Sequence, residues 1–390
     1  MSRLERKTYL SEKVEQLEPS GIRRFFDLAS SMENVISLGV GEPDFVTPWS
    51  FIEASYHSLE QGYTAYTANA GMIELRHSIS QYLEESYNVT YDPENEIIVT
   101  VGASQAIDLA LRAIVNPGEE VIVVDPSFVS YAPAVSLNGG VPIKIQTTAE
   151  FDFKLQPEQI EQAITPRTKA IILCSPNNPT GTVLEGEELN QIASVIEKHD
   201  LIVLSDEIYA ELTYEEEYTS FASVEKMEER TILISGFSKA FAMTGWRLGF
   251  AAGPPGIMEA MLKIHQYTMM CAPTMAQFAA LEALKNGKKN VNDMKKSYEQ
   301  RRNYVVNALN EMGLTCSLPG GAFYVFPSIK RTGLSSGAFA EQLLQQERVA
   351  VVPGDVFGES GEGHIRCSYA TSIKQLEEAM LRINRFVESI

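Results

Sequence analysis

Lys239 lies in SGFSKAFAMTGWRLGF (235–250), just after an apolar run at 231–234 that predicts a buried strand, and Arg247 follows eight residues later. Lysine is rarely buried without a partner. At a strand end its amine forms a Schiff base with an aldehyde if it is neutral. That requires desolvation or a cationic neighbour to lower its ordinary pKa of about 10.4. Alone, Lys239 is better explained as a surface lysine in a turn, and only matching groups at other strand ends change that. Asp206, in SDEIY, ends a strand of Leu201, Ile202, Val203 and Leu204, where a carboxylate needs a positive partner. A protonated pyridine nitrogen is one such partner, and an acidic contact to that nitrogen is expected of a pyridoxal phosphate (PLP) site. Tyr209, three residues on, is close enough to reach the phenolic oxygen of that ring; otherwise it is a half-buried tyrosine packed under the loop.

Other strand ends offer a complementary set. SPNNPTG is a turn sequence in its own right, yet Asn178 can donate an amide hydrogen bond to the same phenolic oxygen, and Pro179 favours an extended Asn178. Gly102 and Ser104, in VGASQAIDLALRA, stand where a strand becomes a helix. Free amides there bind an anion, and Ser104 near the N-cap position equally suits a capped helix. Arg247 adds a guanidinium suited to bidentate phosphate binding. Phe128, in DPSFVSY, either stacks on a planar ring or is core. Arg366, in HIRCSYA, needs an anion: a substrate α-carboxylate or an internal salt bridge.

These residues need a scaffold that brings strand ends together. Apolar runs at 97–101, EEVIVVDP, VPIKIQ, TKAIILCSP, LIVLSDEIY, RTILISGFS and RLGFAAGP alternate with helix-like stretches such as 187–199. This alternation predicts an α/β fold with a mainly parallel sheet covered on both faces. Ligands then bind beyond the strands' carboxyl ends. After Pro273 a long helical region runs to about Met312, interrupted by KNGKKN. GAFYVFPSI, a helix at 336–347, VAVVPG, HIRCSYA and a last helix follow. The expected division is a large domain at 46–275 and a smaller α+β domain built from 1–45 and 276–390.

At 390 residues two domains are the natural expectation. A net charge of −19 argues against a nucleic-acid partner. The start, MSRLERKTYLSEKVEQLEPS, has no apolar h-region, and no stretch reaches the eighteen apolar residues of a membrane span. Cys174, Cys271, Cys316 and Cys367 form no CxxC pair, and the five histidines show no ligand spacing. A cytoplasmic protein with no metal site is the expectation.

From LGVGEPDF (38–45) to HIRCSYA (364–370), with NNPTG, SDEIY and SKAFAMTGWRLG between, the chain resembles the class I/II aminotransferases, PLP enzymes of fold type I. The resemblance implies PLP as cofactor, with Lys239 as the Schiff-base lysine and Asp206 as the pyridine-nitrogen partner. It implies Tyr209 and Asn178 on the phenolic oxygen and Phe128 stacked on the ring. The Gly102, Ala103 and Ser104 segment, Ser238 and Arg247 then surround the phosphate. Tyr66 resembles the tyrosine that reaches the phosphate of a neighbouring subunit, which implies a homodimer. Gly39, Asn178 and Arg366 resemble the substrate-carboxylate clamp, so the expected substrates are an L-amino acid and a 2-oxo acid such as 2-oxoglutarate, exchanged by a ping-pong mechanism. Two departures stand out: Phe128 occupies a position where aspartate-specific members often carry Trp, and no second arginine for a dicarboxylate can be placed. With PGGAFYVFP, these lean toward aromatic or broad neutral amino acids. A β-C–S lyase or an aminocyclopropane-carboxylate-synthase-like enzyme of the same fold is the alternative.

Overall fold

The computed structural model describes residues 9–15, 17–19, 21, 32–215 and 217–390, so part of the 1–45 segment assigned to the smaller domain lies outside the described residues. After a two-residue strand β1 (Ile36–Ser37) come the seven strands of the main sheet. They are β2 (Ile97–Thr100), β3 (Glu120–Asp125), β4 (Val141–Gln146), β5 (Thr168–Cys174), β6 (Ile202–Asp206), β7 (Thr231–Gly236) and β8 (Gly249–Ala252). Their spatial order is β2-β8-β7-β6-β5-β3-β4. From β4 to β7 all pairings are parallel. Alternate residues feed opposite faces, as strand geometry requires. Val121, Val123, Ala170 and Ile172 pack with the helix Ala103–Ile114 on one side. Ile122, Ile171 and Val203 pack with the helix Gly186–Lys198 on the other.

β8 breaks the parallel run, pairing antiparallel with both β7 and β2. The cause is the connection. Residues 237–248 contain no crossover helix, and a parallel return needs one. The chain therefore comes back into the sheet at the end where it left. Lys239 and Arg247 sit on this connection, at the same end as the carboxyl termini of β6 and β7. Gly249 is in register with both Gly236 and Thr100, which brings the exit of β2 to the same place.

Helices Pro255–Thr268, Thr274–Asn286 and Lys288–Glu311 follow, the last two parted at Gly287 within the KNGKKN stretch. Beyond them lie β9 (Tyr324–Val325), the helix Ser336–Glu347, β10 (Val349–Ala350), β11 (Val352–Pro353), β12 (Ile365–Ser368) and the helix Ile373–Glu388. β11, β12 and β9 form an antiparallel sheet, and β10 pairs in parallel with β1. The last helix shows how this part is held. Ser372 Oγ caps it by accepting from Gln375 N at 3.3 Å. Leu376, Ala379, Met380, Ile383, Phe386 and Val387 recur at helical spacing and are buried. Phe386 meets Phe339 edge-on at 5.1 Å, and burying such a ring stabilises by about 2 kcal/mol. The same core takes in Leu38, Tyr209, Leu212, Tyr214 and Ala242, so the loops leaving the main sheet form its floor.

Candidate active site

Asp206 ends β6 with 5% of its surface exposed. Its Oδ2 accepts from the Tyr131 hydroxyl at 2.7 Å and its Oδ1 from Ile208 N at 3.2 Å. Burial pushes the carboxyl up, while the Tyr131 bond and the Lys239 charge pull the other way. Two neutral donors leave a buried carboxylate still in want of a cation. Tyr131 is a partner the sequence reading missed: it lies 75 residues from Asp206 and opens the short helix Tyr131–Leu137. Next to Asp206, Glu207 is also buried, accepting from Ser205 Oγ and Ser220 Oγ at 2.9 Å and from Phe221 N at 3.2 Å. Burial pushes its carboxyl up to about 7.

Lys239 Nζ donates to Gly41 O at 2.6 Å and lies 5.8 Å and 5.7 Å from the ring centres of Tyr209 and Phe323. Burial brings the amine down to about 8; Glu42 and Asp206 oppose this, and the cations Arg366 and Arg247 add to it. Roughly one amine in ten is then neutral at pH 7, against fewer than one in a thousand for an ordinary lysine. Both routes expected from the sequence, desolvation and cationic neighbours, are present.

Arg366, on β12, is 3% exposed. It donates through Nη1 to Asn178 Oδ1 at 2.8 Å and through Nη2 to Gly39 O at 2.6 Å, and its Nε is buried without a partner. The rings of Tyr324 and Phe357 lie 4.4 Å and 4.8 Å from its guanidinium carbon. Among the described residues no carboxylate pairs with it, so the internal salt bridge left open by the sequence is not formed. Arginine only donates, so Asn178 must turn its oxygen toward Arg366, which leaves its NH2 free for another acceptor.

Tyr209 is buried, its hydroxyl 2.8 Å from that of Tyr324 and its ring edge-on to Phe323. Tyr324 is a second partner not singled out from the sequence, although its segment PGGAFYVFP was. Phe128 is partly buried, edge-on to Tyr131 at 5.6 Å.

The helix Ala103–Ile114 starts two residues earlier than a Ser104 cap implies. Gly102 is the N-cap, at φ 81°, and makes no side-chain cap. Ser104 lies inside the first turn and is exposed, so the capped-helix alternative is corrected. The positive φ excludes most side chains, and a Cβ on Gly102 would lie 2.7 Å from Arg247 Nη2. Arg247 itself is left-handed at φ 52° and exposed. It donates to Thr244 O at 3.0 Å, and no acid pairs with it among the described residues. A bare helix start facing an unpaired guanidinium suits a phosphate. Ser238 is partly buried beside Lys239. Tyr66 stands apart from this set in the single chain, 79% exposed.

An acid lacking a cation, a depressed amine, a free amide donor and an anion cradle are together what PLP needs, so the residues present fit that group.

The chain matches the profile of "Aminotransferase class I and II" over residues 33–383. It is 66% identical to the YugH protein of Bacillus subtilis, covering 97% of this chain and 98% of the relative. It is 45% identical to aromatic-amino-acid aminotransferase 2 of Thermococcus litoralis, over 97% of this chain and 98% of that one. Among solved structures, Pyrococcus protein A1 superposes with a TM-score of 0.95 at 47% identity, covering 97% of this chain and 98% of the other.

Proposed function

The chain belongs to the class I and II aminotransferases, transferases whose members use PLP, and on that premise we propose that it moves the amino group of an L-amino acid to a 2-oxo acid, one substrate leaving before the other binds. The observation that carries this is the depressed Lys239 amine at the same sheet end as the uncompensated Asp206 carboxylate. When bound, PLP supplies an aldehyde for an amine and a ring that withdraws electrons from the substrate carbon.

The chain's own residues divide the work. Lys239 Nζ would hold the aldehyde and, once the substrate's amine has taken its place there, would serve as base and then acid for the proton on the substrate's α-carbon. Asp206, held by Tyr131, keeps the pyridine nitrogen protonated. The free Asn178 amide and Tyr209 donate to the ring oxygen, with Phe128 against the ring. Amides of Ala103 and Ser104, beyond Gly102, bind the phosphate with Arg247 and Ser238. Arg366, fixed by Gly39 and Asn178, takes the substrate carboxylate. Rings lie beside Arg366, and the sequence motifs offer no second arginine for a dicarboxylate among the described residues, which favours a neutral or aromatic amino donor; the Thermococcus relative is named for aromatic substrates.

The exposed Tyr66 fits a homodimer in which it reaches its partner's site. A division at 46–275 against 1–45 with 276–390 is supported by the β1–β10 pairing. A cytoplasmic setting fits four free cysteines, and no described helix is long and apolar enough to cross a membrane.

The test is purified protein with PLP, before and after Lys239→Ala. The visible band of lysine-bound PLP and glutamate formation from 2-oxoglutarate should both vanish in the variant. A band unchanged by the substitution would remove Lys239 from its role. Pyruvate and ammonia formed without an oxo acid would favour the lyase alternative.

A further inference from the structure

The Tyr324 hydroxyl has no part in the assignment above, yet three elements of the site meet at this side chain. Its hydroxyl lies 2.8 Å from that of Tyr209. Its ring lies 4.4 Å from the Arg366 guanidinium carbon. A Cβ on Gly41 would overlap its hydroxyl, and Gly41 is the residue whose carbonyl receives Lys239 Nζ. Tyr324 is 1% exposed, so this contact is dry.

A phenol has one proton and two acceptor lone pairs. Within the Tyr209–Tyr324 pair only one hydroxyl donates to the other. If Tyr209 donated to Tyr324, it would turn lone pairs toward the negative ring oxygen of PLP. If Tyr324 donates, the single Tyr209 proton is free to point there. The guanidinium over the Tyr324 ring decides between the two, because a cation at a phenol's face stabilises its anion and makes it the better donor. No other acceptor for the Tyr324 hydroxyl occurs among the described residues.

We propose that Tyr324 is a positioning residue, donating to Tyr209 so that the Tyr209 proton is committed to the ring oxygen of the cofactor. The proposal rests on the PLP reading. In a dry chain of hydroxyls each bond strengthens the next, so Tyr209 also becomes the stronger donor.

The experiment is a pH titration of the visible band of holoenzyme, for wild type, Tyr324→Phe, Tyr209→Phe and the double variant. Stronger donation to the ring oxygen stabilises the deprotonated form of the lysine–cofactor linkage and lowers the midpoint. Tyr324→Phe should therefore raise the midpoint by about half a pH unit, and Tyr209→Phe should raise it further. The double variant should match Tyr209→Phe alone, since Tyr324 acts only through Tyr209. A packing role alone would alter thermal stability without moving the midpoint. A midpoint unchanged or lowered by Tyr324→Phe, with Tyr209→Phe still raising it, overturns this proposal while leaving the PLP reading intact. Absence of a visible band in wild type with added PLP would overturn both. Phenylalanine preserves the ring, and circular dichroism of each variant confirms its fold before titration.

Discussion

Replacing Arg366 by lysine keeps the positive charge on β12 and removes the fork. The wild-type guanidinium spends Nη1 on Asn178 Oδ1 and Nη2 on Gly39 O, with Nε and the outward hydrogens left for a ligand. An ammonium cannot hold both acceptors flat between the Tyr324 and Phe357 rings and also grip a carboxylate at two points. Each charge-assisted hydrogen bond contributes about 1.5–3 kcal/mol net, so losing one or two removes about 3 kcal/mol, or about a hundredfold in kcat/KM. The bond to the carboxylate exists before any proton moves, so most of the loss should appear in KM. Steady-state transamination with a neutral L-amino acid measures this. A primary amine with the same side chain and no carboxylate is the control, and should react equally poorly with both proteins. A fall of under about fivefold, or an equal fall on the amine, would mean that Arg366 only braces the loops carrying Asn178 and Gly39.

Two further outcomes test other parts of the site. Arg247→Ala should weaken PLP retention by about tenfold, a value reduced from that of a buried pair because the side chain is exposed; equilibrium dialysis followed by absorbance reads it, and undiminished retention removes Arg247 from the phosphate. Glu207 has a folded pKa above its ordinary value, so the native state holds its proton where the unfolded chain has released it. Its contribution, about 3 kcal/mol, is full below pH 4.5 and lost as pH rises to about 7. Melting temperatures of Glu207→Gln across that window should fall less steeply than wild type, and parallel curves would contradict the assignment.

The strands leading to Lys239, Asp206 and Asn178 were legible because each is a short apolar run rich in Ile, Val or Leu followed by a polar tail, while Arg366 stands within a shorter run, IRCS. Direction was not legible. An apolar run reads alike both ways, so the reversal of β8 follows only from the lack of a helix at 237–248. Contacts between distant segments were also hidden. Tyr131 meets Asp206 and Tyr324 meets Tyr209 across 75 and 115 residues, and nothing local marks either tyrosine. The cap at Gly102 was misplaced because its positive φ belongs to the close approach of Arg247, a residue on the distant connection between β7 and β8. Whether Arg366 faced an acid could not be told from its strand, since that depends on which loops cover it.

The reversal at β7 and β8 has a consequence for how such an enzyme can change. The covalent and ionic holds assigned to the cofactor both ride on one hairpin inside the main sheet, between β2 and β6, whereas the groups assigned to the substrate's carboxylate hang on β12 and on the loops at Gly39 and Asn178. Changes at β12 therefore alter the grip proposed for the substrate carboxylate without touching the hairpin. The holds proposed at Lys239 and Arg247 and the grip proposed at Arg366 thus lie on separate parts of the chain, so one can diverge while the other is inherited unchanged.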